Sequence, residues 1–396
     1  MSLNLLTPQA LSDRLDRLDA IMGAADVDTI VLNDNANLFY LTGRVFCGYA
    51  IYRRGSRRPV YFVRRPVIFH GEDVVSIRKP EQIAEHLSAY SLAPLGTTAL
   101  ETSDLSYDAI IRLSKALGLD NFVPAGPIMR QTRAVKCPDE IEMIAHSGKC
   151  HDRVYFEIPR YYHEGMTDIE FQIEIERASR LEGCLGQFRV NGDDMELFMG
   201  NVLAGDNADA PSPYDFAMGG AGASPSLPVG ANGTLISPGH TVMVDVNGNY
   251  TGYMTDMTRT FAIDPERLPA EALRAHQISI DICQRLADMG RPGTEAKKLY
   301  ETALNMATEA HLEDYFMGHR QHAGFVGHGV GIEINEAPVI APHSRDILQA
   351  GNVIALEPKF VIPHVGAVGI ENTYLVTPDG PMRPLTSALT EIRSLG

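Results

Sequence analysis

No run of apolar residues in this chain approaches the roughly 20 that a membrane-spanning helix needs, so no membrane partner is expected. The N-terminal stretch MSLNLLTPQALSDRLDRLDAIMGAADV lacks the basic start and apolar core of a signal peptide. Its Leu and Ile recur at helical spacing among charges, which predicts an amphipathic helix. Basic residues are the minority: 34 Lys and Arg against 50 Asp and Glu leave a net charge of −16, which argues against nucleic acid as a partner. The five cysteines, Cys47, Cys137, Cys150, Cys184 and Cys283, are odd in number and never spaced as CxxC, so reduced thiols in a cytoplasmic protein are expected. Low-complexity sequence is absent as well. What remains is ordinary for a globular protein, 44% hydrophobic and 21% charged, and 396 residues are enough for two domains with separate cores.

Up to about residue 130 the chain alternates strand-like and helix-like runs, as an α/β layered domain does. DTIVLND, NLFYLTG, YAIYRRG and RPVYFVRRP read as strands, and EQIAEHLSAY and SYDAIIRLSKALG as helices. A long helix is expected after Cys137-Pro138, with proline in its first turn. Beyond it, GMTDIEFQIEIERASRLEG from Gly165 and GTEAKKLYETALNMATEAHL from Gly293 look like two copies of one unit, each a helix leading into strands. The stretch AMGGAGASPSLPVGANG at 217–233 reads as a long loop, a candidate wall of a cleft.

Against this background five polar residues are out of place: Asp245, Asp256, His328, Glu357 and Glu371. Each lies in a strand-like, mostly apolar segment, where a charge is costly unless paired or bound to a cation. Glu357 ends the run VIALE and Glu371 lies in VGIENTYLV, with His364 at their midpoint. A hairpin centred there would set the two glutamates face to face, which destabilises a strand pair unless a cation lies between them. Asp245 and Asp256 flank a second expected hairpin, with Asn247-Gly248-Asn249 as its turn and Gly252 as a bulge in the return strand. Four carboxylates with one imidazole suit two divalent cations better than a lone zinc ion.

The segments DVNGNYTGYMTDMTRTF, GHGVGIEINEAP, and LEP followed by IENTYLVT resemble the metallopeptidase family of methionine aminopeptidase, prolidase and Xaa-Pro aminopeptidase. The resemblance covers essentially the whole chain. It implies an α+β protein with a C-terminal pita-bread domain, residues 133–396, behind an N-terminal α/β domain of the creatinase/prolidase type, residues 1–132. It further implies that Asp245 chelates one metal, that His328 and Glu357 hold the other, that Asp256 and Glu371 bridge the two, and that Glu357 also shuttles a proton. The ions would be Mn²⁺, Co²⁺ or Fe²⁺, with Zn²⁺ possible. A homodimer is implied too, with the segment around Tyr40 and Arg44 resembling one that reaches a neighbouring subunit's cleft, although core packing is the expected role of Tyr40.

The chain departs from its family in the shell that handles substrate. Asn335 stands where active peptidases carry a second histidine, and Val229 where they carry another. Gly369 replaces a common arginine, and Asn372 an acidic residue. His319, His322, His364 and Asn335 are the candidate substrate contacts. The expected activity is hydrolysis of an amide bond in a dipeptide or short peptide by a hydroxide activated between two metals. The alternative is a metal-dependent amidohydrolase or lyase acting on a non-peptide small molecule.

Overall fold

The structure, a computed structural model, describes residues 1–103, 105–191, 198–214 and 216–396. It divides into two compact units, Met1–Arg133 and Ala134–Gly396. No helix among the described residues is long and apolar enough to cross a membrane.

The first unit runs α1 (Pro8–Ala24), β1 (Thr29–Leu32), α2 (Asn35–Thr42), β2 (Cys47–Arg53), β3 (Val60–Arg65), β4 (Val74–Ser76), β5 (Thr98–Leu100), α3 (Tyr107–Leu117), β6 (Val123–Pro124) and α4 (Gly126–Ala134). Its strands form one mixed sheet in the order β4-β3-β2-β1-β5-β6, with Val31, Phe62, Leu100 and Leu113 in the core beneath. The amphipathic N-terminal helix is present as α1, capped by the Thr7 hydroxyl, which accepts from the Ala10 N–H. Two readings need correction. NLFYLTG is not a strand but the body of α2, capped by Asp34, which accepts from the N–H groups of Ala36 and Asn37. Leu38, Tyr40 and Leu41 are all buried there, so the segment has no polar face to reveal its helical period. EQIAEHLSAY forms only short 3-10 turns at Pro80–Gln82 and Ala84–His86. Ile83 and Leu87 are its buried anchors, a stripe too short to hold a longer helix. Tyr40 is fully buried under the Arg14 guanidinium, a core role.

The second unit begins with α5 (Pro138–Glu157), α6 (Asp168–Leu181), β7 (Gly200–Ala204), β8 (Val242–Val246), β9 (Gly248–Asn249), β10 (Met254–Thr255) and β11 (Thr258–Ala262). It continues with α7 (Ala270–Met289), α8 (Ala296–Glu309), β12 (Gly327–Gly329), β13 (Glu336–Ile340), β14 (Val353–Leu356), β15 (Lys359–Ile362), β16 (Gly366–Gly369), β17 (Asn372–Leu375), β18 (Arg383–Pro384) and β19 (Arg393–Ser394). Pro138 opens α5, where Glu140 reaches back to the Cys137 N–H. The unit has two halves. One packs residues of α5 and α6 on the sheet β19-β11-β8-β7 through Tyr155, Phe171, Val244 and Phe261. The other packs α7 and α8 on β13-β12-β14-β17-β18 through Leu286, Leu299, Ile354 and Tyr374. The two segments read as repeats supply α6 and α8, which each start three residues after their glycine.

Register then sets the site. β14 pairs with β17 (Leu356↔Asn372), and β15 with β16 (Lys359↔Gly369). Both ladders are centred on His364 and break between these pairs, at the positions of Glu357 and Glu371. The glutamates therefore face each other, as the symmetry of the sequence predicts. The other hairpin is centred elsewhere than expected. β8 pairs with β11 (Asp245↔Thr258) and β9 with β10 (Asn249↔Met254), so Asn247, Gly248 and Asn249 are not the turn. The chain reverses at residues 250–253, where Gly252 takes φ 91° and its N–H is held by the Asn249 side chain. Gly252 is the turn itself and not a bulge.

Candidate metal centre

Asp245 lies on β8, His328 is the middle residue of β12, and Asp256 falls between β10 and β11. Glu357 follows β14 directly and Glu371 precedes β17. All but the half-buried Asp245 are buried. The five converge as two groupings, Asp256–His328–Glu371 and Asp245–Glu357–Glu371, with ligand atoms in each within 4.8 Å of one another. His328 Nδ1 lies 3.1 Å from the Gly329 carbonyl, which leaves Nε2 facing Glu357 at 3.3 Å and Asp256 at 3.8 Å. The Thr258 hydroxyl donates to Glu371 Oε2 at 2.7 Å, and the Thr373 hydroxyl accepts from the Asp256 N–H at 2.9 Å.

Beneath the carboxylates lies Arg259, almost wholly buried, donating to the carbonyls of Thr258, Glu371, Ala388 and Leu389 and to Asn372 Oδ1. Asn372, an amide where an acid is common in the family, thus meets the guanidinium as a neutral acceptor.

One functional residue is absent from the sequence reading. Lys359 opens β15 with a fully buried side chain, and its Nζ lies 2.8 Å from Asp245 Oδ2, 2.8 Å from Glu357 Oε2 and 3.3 Å from Glu371 Oε2. The signal was available. Side chains two apart on a strand share a face, so a lysine two residues after Glu357 belongs beside it.

Above the cluster is a cavity of about 60 Å³ whose apolar lining includes Phe188, Phe216, Phe325 and Ile334. Of the four candidate substrate contacts, only Asn335 lines it. The Asn335 amide is engaged at both ends, accepting from the Asn191 N–H at 2.7 Å and donating to the Asn191 carbonyl at 2.5 Å. His319 pairs with Asp209, His322 with the Phe316 carbonyl, and His364 with Asp206 near the surface. Val229 is buried and lines a separate cavity of about 250 Å³, which shares Gly200 and Asn201 with the first.

Electrostatics follow from burial and crowding. Burial and the charge of Asp245 push Asp256 up to about 7. Burial, and then the charge of Asp256, hold Glu371 well above the ordinary carboxylate range. Burial alone would raise Glu357 too, but the ammonium of Lys359 and the imidazole of His328 bring it down to about 2. Burial disfavours protonated His328, and the hydrogen bond and charge of Glu357 overcome this, raising it to about 9. An entering cation is then expected to displace protons from Asp256, Glu371 and His328. Affinity for a divalent ion should rise as pH climbs from about 6 to about 9, by up to tenfold per unit for each proton displaced. Calorimetric titration with Mn²⁺ in buffers of different ionisation enthalpy reads both the affinity and the proton count. A pH-independent affinity would show that the cluster does not hold these protons before the ion enters.

Residues 142–378 match the family model of metallopeptidase family M24, and residues 14–135 that of the creatinase/prolidase N-terminal domain. The chain belongs to metallopeptidase family M24. This M24 chain is 24% identical to the Xaa-Pro dipeptidase of Pyrococcus horikoshii, over 94% of its own length and 97% of the relative's. To the Xaa-Pro dipeptidase of Pyrococcus furiosus it is 26% identical, with the same coverage of 94% and 97%. Among solved structures it superposes on the prolidase from Pyrococcus horikoshii with a TM-score of 0.75 at 21% identity, covering 96% of this chain and 99% of the other. The X-Pro aminopeptidase from Thermotoga maritima gives a TM-score of 0.77 at 20% identity, covering 96% and 100%. The fold is thus the pita-bread domain preceded by the creatinase-type N-terminal domain.

Proposed function

We propose that this chain is a metal-dependent hydrolase of the Xaa-Pro peptidase type, cleaving an amide bond in a dipeptide or short peptide. The observation that carries the reading is the convergence of Asp245, Asp256, His328, Glu357 and Glu371 at one small cavity. The donor set fits a divalent cation of the Mn²⁺, Co²⁺ or Fe²⁺ kind: carboxylates, one imidazole presenting Nε2, and a buried Glu371 Oε1 that lacks a hydrogen-bond partner among the described residues. The five residues alone would hold a pair of such ions. When bound, a divalent ion polarises a carbonyl oxygen and lowers the pKa of water.

The chain's own residues do the rest. Glu357, held ionised beside Lys359 and His328, starts as a proton acceptor and can return the proton to the leaving amine. Phe188, Phe216, Phe325 and Ile334 exclude bulk water, which strengthens every charge interaction below them. The homodimer and the cytoplasmic setting belong to the same reading.

A second reading is favoured by the Asn335 amide, which is committed to the Asn191 backbone, and by Val229, which lines the neighbouring cavity. Val229 offers no donor and Asn335 already spends one amide N–H on the Asn191 carbonyl, and loss of one donor to a peptide carbonyl costs on the order of 10²–10³ in rate. Under this reading the substrate is a small non-peptide amide or a related compound. The test is a panel of Xaa-Pro dipeptides, longer Xaa-Pro peptides and small amides with Mn²⁺, Co²⁺ or Fe²⁺. Weak dipeptide turnover is expected, on the order of 10²-fold or more below that of a prolidase. Turnover of small amides alone selects the second reading in its amidohydrolase form, and no hydrolysis of any member discards both hydrolase readings and leaves the lyase.

A further inference from the structure

The two groupings of the carboxylate cluster are not equivalent. In Asp245–Glu357–Glu371 the ammonium of Lys359 already contacts one oxygen of every member, at 2.8, 2.8 and 3.3 Å. In Asp256–His328–Glu371 no lysine or arginine among the described residues pairs with Asp256, and Glu371 Oε1 is buried without a donor. One grouping has a lysine ammonium against all three members, and the other has none against Asp256.

We propose that Lys359 takes the place of one of the two cations this cluster would otherwise hold, so that the chain binds a single divalent ion, in the grouping of Asp256, His328 and Glu371. The proposal rests on the reading of the cluster as a divalent-cation site. Distance supports it. Divalent transition ions sit about 2.0–2.2 Å from carboxylate oxygens. An ion sharing the three oxygens that Lys359 uses would lie almost on top of its Nζ. Charge supports it as well. Four carboxylates, one ammonium and one divalent ion leave a single net negative charge. A second divalent ion would turn the same set of side chains and ions net positive.

The backbone that carries the lysine is fixed. Its carbonyl accepts from the Met317 N–H at 2.8 Å, and its ladder partner is Gly369. Position 369 is where Xaa-Pro enzymes commonly carry arginine. Here the cation stands on the opposite strand instead, and the glycine lets the backbone at 358 and 359 approach closely. A side chain at 369 would press on Lys359 Cα at 3.0 Å and on the Pro358 carbonyl oxygen at 2.7 Å.

The experiment counts ions. The full-length chain is stripped with chelator, saturated with Mn²⁺, freed of excess, and assayed by mass spectrometry and electron paramagnetic resonance. One Mn²⁺ per chain with an uncoupled spectrum is expected. Two ions with a spin-coupled spectrum, or none, would overturn the proposal. Lys359→Met and Lys359→Gly should each raise the count to two, and a folded variant that still binds one refutes the role given to the lysine. If neither variant folds, the count in the unmodified chain decides. Amide hydrolysis is measured on the same samples. One ion without turnover of any substrate counts against the hydrolase reading and leaves the ion count standing. Two ions with turnover does the reverse.

Discussion

Glu357→Gln is expected to lower turnover of the best substrate by a factor on the order of 10²–10⁴, the usual contribution of a positioned acid–base group. The substitution keeps shape and volume. Its amide oxygen can still accept from Lys359, so the chain should fold. What disappears is the negative charge that faces Lys359 at 2.8 Å and His328 at 3.3 Å, and with it the ability to take a proton. The effect should fall on kcat, measured at saturating ion with the fold checked by circular dichroism. A loss of less than about tenfold with the ion still bound would remove Glu357 from proton transfer.

Lys359→Met should produce the largest change in stability. Removing one partner of a buried ion pair typically costs about 3–5 kcal/mol, because the remaining charge is left uncompensated. Here three carboxylates are left. In chelator they can be relieved only by taking up protons, which raises their folded-state pKa values above the unfolded ones. Such a shift costs stability above the unfolded carboxylate pKa, so the loss should be greatest at neutral to alkaline pH and fade towards pH about 4. Denaturant unfolding in chelator at several pH values measures it. A divalent ion should then stabilise the variant more than the unmodified chain, since ligand binding to the folded state adds stability in proportion to its occupancy. Equal stability of the two proteins in chelator would mean that the lysine is not paired as described.

Much of this site is legible in the sequence, and the reason is the period of a strand. A hairpin is symmetrical about its turn, so once His364 is taken as the centre, Glu357 and Glu371 must meet, and both observed ladders obey that symmetry. Where the reading fails, the deciding contact is distant in sequence. Asn247, Gly248 and Asn249 have the composition of a turn, yet both asparagine side chains donate to the Gln187 carbonyl, about sixty residues away, and hold the strand extended. The α2 segment is misread for a related reason. A short helix buried on nearly every side carries no alternation that separates it from a strand. Lys359 differs from these cases. Its side of the strand can be derived from Glu357, and Glu371 follows from the hairpin symmetry, but the third carboxylate, Asp245, comes only with β8 arriving beside it. The substrate side is the least legible, because the commitment of Asn335 to the backbone of Asn191 spans 144 positions of sequence.

The guanidinium of Arg259 ties the site to a stretch beyond the matched peptidase domain. The matched region ends at residue 378, yet two of the carbonyls that satisfy Arg259 belong to Ala388 and Leu389, and β19 pairs with β11 just beyond them. The same guanidinium grips the Glu371 carbonyl, so the tail forms part of the floor under a glutamate of the candidate metal cluster. Anyone trimming this protein to its recognisable domain would cut away the floor and keep every ligand, leaving a buried arginine with two donors unmet. The boundary of the working enzyme is drawn by that arginine's hydrogen bonds.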